Sequence, residues 1–315
     1  MSIMLIISSN SWIGMWMGLE INLMTTIPMI YEKKNIYASE STTKYFIIQA
    51  FASSLFLFSI ISLPMFPSWH PYMKLFLMMS ILMKLGMPPL HFWLPDLVSG
   101  LSWSENIIIL IIQKIAPMMI LINSLEQSYY ISMIIILSST ISSVQGMNQT
   151  DLRKILAYSS INHMSWMILA MMKSVNMWAL YFCVYAFISM TVMKMLDMNH
   201  TYWLSNLSKN NHYFMIILSL NILSMGGMPP MLGFLPKWLV IELLMEKYMI
   251  IILILIFLSI IVLYFYMRMT ITSFTLINKM NMNTKINIQN MNYMFTSIIM
   301  INILTLAPWL ISFSL

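Results

Sequence analysis

Charge is what this chain has least of. Only 8% of its 315 residues are charged, against about 25% in an ordinary soluble domain. With 60% hydrophobic residues and a mean hydropathy of +0.81, water-soluble packing is excluded. Cysteine is nearly absent too. Cys183 stands alone, which rules out an internal disulfide framework and a thiolate metal cluster. The five histidines are scattered and form no HxxxH pair, so no metal site is indicated. The opening "MSIMLIISSNSW" has no basic n-region and no small-residue cleavage site, so it does not read as a signal or transit peptide. Strict polar/apolar alternation is missing from runs such as "IIILIIQKIAPMMILI" and "MIIILILIFLSIIVLYFY", which argues against a membrane β-barrel.

An all-α polytopic membrane protein remains. About 20 apolar residues cross a bilayer core. That window gives ten transmembrane spans: 12–31, 44–63, 72–99, 105–124, 130–147, 154–172, 177–198, 212–246, 249–269 and 293–313. Residues 1–10 are apolar but too short to cross. Spans 72–99 and 212–246 are too long for one straight helix, and each contains a double proline. No segment is polar enough for a separate extramembrane domain, so 1–315 reads as a single membrane domain.

The basic residues orient it. With the loop after the first span inside, the inside loops and helix ends hold Lys33, Lys34, Lys44, Arg153, Lys154, Lys194, Lys209, Arg268, Lys279 and Lys285. The outside loops hold Lys74, Lys173 and Lys247. This ten-to-three split is a positive-inside asymmetry. The net charge of +6 therefore needs no nucleic acid to explain it, and the excess also suits anionic lipid headgroups.

Three basic residues fall inside spans: Lys84, Lys114 and Lys237. A lysine at bilayer depth costs about 2.5–3.5 kcal/mol on insertion scales, so such residues face the bundle interior and mark ion or proton paths. The bland reading of each is snorkelling to the headgroups. Glu20, in "MWMGLEINLMTTI", is the carboxylate well inside an otherwise uncharged span. Its bland reading is a protonated, hydrogen-bonded acid; its functional reading pairs it with a lysine of another helix. Burial and an opposite charge act oppositely on such groups, so a Glu–Lys pair of variable separation can take up and release a proton. Glu242 follows Lys237 by five residues, which leaves the two on rather different helix faces. Asp96 and Asp197 lie near span ends, as solvated caps do. His163 reads first as a hydrogen-bonded core residue and second as a proton relay. The 38 methionines lack a regular array with histidine and read as apolar filling.

The two long spans are related. "LGMPPLHFWLPD" from Leu85 reappears as "GGMPPMLGFLPK" from Gly226, 141 residues later. Gly86, Met87, Pro88, Pro89, Leu94 and Pro95 match Gly227, Met228, Pro229, Pro230, Leu235 and Pro236. This is an internal repeat. Each proline removes the hydrogen bond to the carbonyl four residues back, and at Pro88 that carbonyl belongs to Lys84. Bare backbone at membrane depth is tolerated only inside protein or beside a wet cavity. Paired interrupted helices are the sequence pointer to a transport site. With an even number of spans between them, the third and the eighth run in opposite directions, so the repeat is inverted. Lys84 aligns with Met225, and Lys237 with Asp96, so the two lysines are not repeat equivalents. The opposite helix directions should still place them on the same side of their breaks.

The stretches "GLEINLM", "MKLGMPPLHFWLP", "QKIAPM", "NQTDLRKILAYSSINHMSWM" and "GGMPPMLGFLPKW" resemble subunit 2 of mitochondrial NADH:ubiquinone oxidoreductase, respiratory complex I. The resemblance runs from Trp12 to the C-terminus, and the methionine and isoleucine content resembles arthropod mitochondrial proteins. It implies an antiporter-like subunit with half-channel repeats at about 12–124 and 130–269, a C-terminal helix at 293–313, and a central row of charges. Glu20 would be partner to Lys84, Lys114 the central lysine, and Lys237 the residue that passes charge toward the next subunit. His163 and Glu242 are possible relays. The resemblance places the chain in the inner mitochondrial membrane with its positive loops on the matrix side. It implies no cofactor in this chain, with FMN, iron–sulfur clusters and ubiquinone bound elsewhere in the complex. Implied partners are other membrane-arm subunits, especially subunits 4L and 4, accessory subunits, and phospholipid such as cardiolipin. Family members carry a complete helix before the "GLE" span, where about ten residues stand here. A self-standing cation/proton antiporter and a non-pumping structural subunit share the same fold signal. The orientation is tested with a membrane-impermeant thiol reagent on a Cys183→Ser background. Lys173→Cys should label from the outside and Lys209→Cys from the inside; the opposite pattern reverses the topology.

Overall fold

The computed structural model describes residues 1–32, 35–66, 69–124, 129–209 and 212–275. It is all helical, a multi-pass membrane protein. The helices are α1 (Ser2–Ser8), α2 (Trp12–Ile30), α3 (Ile36–Met65), α4 (His70–Leu85), α5 (Trp93–Gly100), α6 (Trp103–Ile107), α7 (Gln113–Ser124), α8 (Tyr129–Met147), α9 (Leu152–Met171), α10 (Val175–Met198), α11 (His212–Gly226) and α12 (Phe234–Thr275). A π-turn (Ile108–Ile112) joins α6 to α7, and a 3-10 helix (Leu204–Lys209) precedes α11. Within the described residues, the helices Ile36–Met65, Trp103–Ser124, Tyr129–Met147, Val175–Met198 and Phe234–Thr272 are long and apolar enough to cross a membrane. The expected C-terminal helix 293–313, along with Lys33, Lys34, Lys279 and Lys285, lies outside the described residues.

Local chemistry sets the helix ends. Ser11, Asn35, Asp151 and Ser174 cap α2, α3, α9 and α10 by accepting backbone N–H bonds that have no partner within the helix. Ser102 and Glu105 form a capping box at α6, with the Ser102 N–H donating to Glu105 Oε2 at 2.9 Å. The boundary expected between residues 246 and 249 survives as a kink inside α12, where Tyr248 leaves helical backbone (φ −128°, ψ 37°).

The chain forms two compact units, Met1–Ile141 with Leu156–Ser165, and Ser142–Ile155 with Trp166–Leu315. In the first, α3 packs on α2, α4 and α5, while α7 meets α2 and α4. The short α1 lies on α2 and α7, with Ile6 against Gly18. In the second, α10, α11 and α12 pack on one another. There Arg268 donates to the backbone carbonyls of Met147 and Gln149, satisfying acceptors at the C-terminus of α8. Asp151 pairs with Arg153 at 3.3 Å, and the Arg153 guanidinium lies 4.7 Å from the Tyr202 ring centre. Thr150 and Leu152 exchange backbone bonds with Leu204 and Tyr202. The "TDLR" stretch is thus a structural clasp.

Both breaks begin with the same turn. The Met87 N–H donates to the Leu82 carbonyl and the Gly86 N–H to the Met83 carbonyl. In the second repeat, Met228 donates to Leu223 and Gly227 to Ser224. Each is a Schellman motif, which needs a left-handed residue after the helix. Gly86 (φ +70°) and Gly227 (φ +78°) supply it. The Gly-Met part of the repeat is therefore a repeat of backbone geometry as well as of letters. Gly86→Ala would force a Cβ into left-handed backbone 3.1 Å from the Leu94 Cβ. It should lower stability by about 1–2 kcal/mol, read as a lower melting temperature of the assembled protein.

Candidate functional site

In the first unit, the α4 break presents Lys84 in its last turn, 7% exposed. The carbonyl predicted to be freed by Pro88 is that of Lys84, and Gln49 Nε2 of α3 donates to it at 3.3 Å. Glu20 of α2 is half-buried. Lys114 of α7 is 2% exposed. The π-turn sets its direction: the Gln113 N–H reaches back five residues to the Ile108 carbonyl. Such an insertion rotates everything after it about the helix axis, and π-bulges recur at functional sites. Nothing in the Ile-rich run marks this turn in the sequence.

Lys84 and Lys114 share one cavity of about 20 Å³, whose other polar walls are Asn22, Tyr45, Gln49 and Gln113. That is room for roughly one water, which needs two to four polar partners. The polar walls are also bonded to one another. Asn22 Nδ2 donates to Gln113 Oε1 at 2.7 Å, and the Tyr45 hydroxyl is 3.5 Å from the same oxygen. Trp93, which begins α5, closes another wall and lies against Tyr45 with ring centres 6.2 Å apart. Sequence reasoning missed Asn22, Tyr45, Gln49 and Gln113. Their signal was weak: Asn22 stands two residues after Glu20 and Gln113 immediately before Lys114, but uncharged polar residues are common in spans.

In the second unit, Lys237 follows its break yet turns back to it. Its amine donates to the Gly226 carbonyl, the last of α11, at 2.8 Å, and it is 5% exposed. A cation at a helix C-terminus opposes the helix dipole favourably. Gly227 makes room for this return: a Cβ there would lie 2.9 Å from the Lys237 amine. Pro229 and Pro230 follow in the break, as Pro88 and Pro89 do in the first. His163 is buried on α9, while Glu242 and Asp96 lie at the surface. Among the described residues no group of three or more His, Cys, Asp or Glu is placed to hold a metal ion.

Residues 9–262 match the model of the NADH:quinone oxidoreductase/Mrp antiporter transmembrane family. NADH-ubiquinone oxidoreductase chain 2 of Anopheles gambiae is 45% identical over 246 residues, covering 75% of this chain and 72% of that one. This chain belongs to the NADH-ubiquinone oxidoreductase chain 2 family. The sheep (Ovis aries) chain 2 is 40% identical over 251 residues, covering 76% of this chain and 72% of its own. The family named by the sequence motifs is thereby borne out. A chain of respiratory complex I from Thermus thermophilus superposes with a TM-score of 0.79 at 19% identity, over 87% of this chain and 68% of that one. It shares the fold.

Gln49→Leu tests the break itself. Leaving the buried Lys84 carbonyl without its donor should cost about 1–3 kcal/mol, read as a lower melting temperature. An unchanged value means that another group satisfies that carbonyl.

Proposed function

We propose that this chain is a core membrane subunit of respiratory complex I in the inner mitochondrial membrane. It moves protons across that membrane, driven by NADH:ubiquinone electron transfer in other subunits. The observation that carries the reading is the burial of Lys84 and Lys114 around one cavity, beside a proline-broken helix. Buried cations without a task are costly. A change in the Glu20–Lys84 separation changes how firmly the lysine holds its proton. A proton released from the Lys84 amine passes through the cavity to Lys114. Lys237 carries charge at the second break; His163 acts as a relay within the first unit and Glu242 within the second. FMN, the iron–sulfur clusters and ubiquinone sit in other subunits. Chains 4L and 4, accessory subunits and cardiolipin are the neighbours this reading implies, with the basic loops facing the matrix.

Lys84→Met and Lys114→Met, each introduced into the assembled complex in proteoliposomes, should lower coupled proton uptake about tenfold or more. Unchanged protons per NADH in both variants sinks the proton path. Proton/cation exchange by the isolated chain in liposomes would favour a self-standing antiporter instead.

A further inference from the structure

Two hydrogen-bond chains converge on one atom, Gln113 Oε1. In the first, Ser2 Oγ donates to Asn22 Oδ1 at 3.3 Å, and Asn22 Nδ2 donates to Gln113 Oε1 at 2.7 Å. In the second, the Tyr45 hydroxyl lies 3.3 Å from Thr26 Oγ1, which donates to the Leu23 carbonyl, and 3.5 Å from Gln113 Oε1. The Gln113 Nε2 returns a weaker bond to Asn22 Oδ1 at 3.5 Å, and a second N–H remains on that nitrogen. The amide pair thereby ties α2, which carries Glu20, to α7, which carries Lys114.

The choice of side chain carries the argument. Gln113 precedes Lys114 directly, at the exit of the π-turn, and both line the cavity with Lys84. An amide donates and accepts without ionising. It can orient a water between two amines and cannot keep the proton. A carboxylate in the same place would hold a lysine in its charged form.

We propose that Gln113, clamped by Asn22, is a positioning residue that orients the water between Lys84 and Lys114. The inference rests on the proton-path reading above.

The test uses the assembled complex in proteoliposomes, measuring proton uptake and NADH oxidation across pH. Gln113→Leu and Asn22→Leu should each slow coupled pumping about threefold to tenfold, the worth of one hydrogen bond. Because the two residues act as a unit, the double variant should be no slower than the worse single one. The exchange Asn22→Gln with Gln113→Asn, which restores an amide pair, should recover most of the rate. Gln113→Glu keeps the shape and the acceptor oxygen but adds an ionisable group, so it should displace the pH profile of pumping. Multiplicative effects in the double variant, no recovery on exchange, or an undisplaced profile for Gln113→Glu overturns the proposal. Lys114→Met, run alongside, separates the two failures. If it pumps normally, the proton path itself is wrong; if it fails while Gln113→Leu pumps normally, only the positioning role is wrong.

Discussion

The structure depends on one constraint: a helix that breaks inside a membrane leaves carbonyls with no water to bond them. Each break answers it in its own way. The Schellman turns satisfy the Leu82, Met83, Leu223 and Ser224 carbonyls in both repeats alike. The next carbonyls diverge. In the first break, Gln49 takes the carbonyl of Lys84, so the lysine itself is not needed as a backbone donor. In the second, the carbonyl taken lies one repeat position further on: the Lys237 amine donates to that of Gly226. A residue-for-residue repeat has thus been specialised. One lysine lines a cavity, and the other holds down a helix end.

The cavity follows from the same logic. Proline-broken backbone, a π-turn and four uncharged polar side chains gather in the first unit around a volume of about 20 Å³. Pro117 adds to it, since a proline there leaves the Gln113 carbonyl without its helical donor. None of these features would be stable facing lipid. Buried together they line one space with Lys84 and Lys114. On the proposed proton path, the neighbouring groups must not capture the proton. Asn22, Gln49 and Gln113 are amides.

Much of this was legible in the letters. The breaks showed as Gly-Met-Pro-Pro repeated, because proline and left-handed glycine have few other uses in a span. Lys84, Lys114 and Lys237 showed because charge is so scarce that each intramembrane one stands out. The family showed in motifs such as "DLRKILAYSSINHM", although the start of that motif proved to be a clasp around Asp151, Arg153 and Tyr202. The Asn22–Gln113 pair was not legible, because 91 residues separate its members and only folding brings them together. The π-turn was not legible either, since five aliphatic residues carry no periodic signal at all. The return of Lys237 to Gly226 was not legible either. A residue placed after the break in sequence has its amine at the end of the helix before it.

The account turns on whether the space between the two lysines of the first unit is wet. A density map of the assembled complex, fine enough to resolve single waters, decides it most directly. The account predicts an ordered water in the cavity, within hydrogen-bonding distance of Gln113 or Tyr45 and of a lysine amine. A dry cavity, with Lys84 and Lys114 both turned away from it, would contradict it.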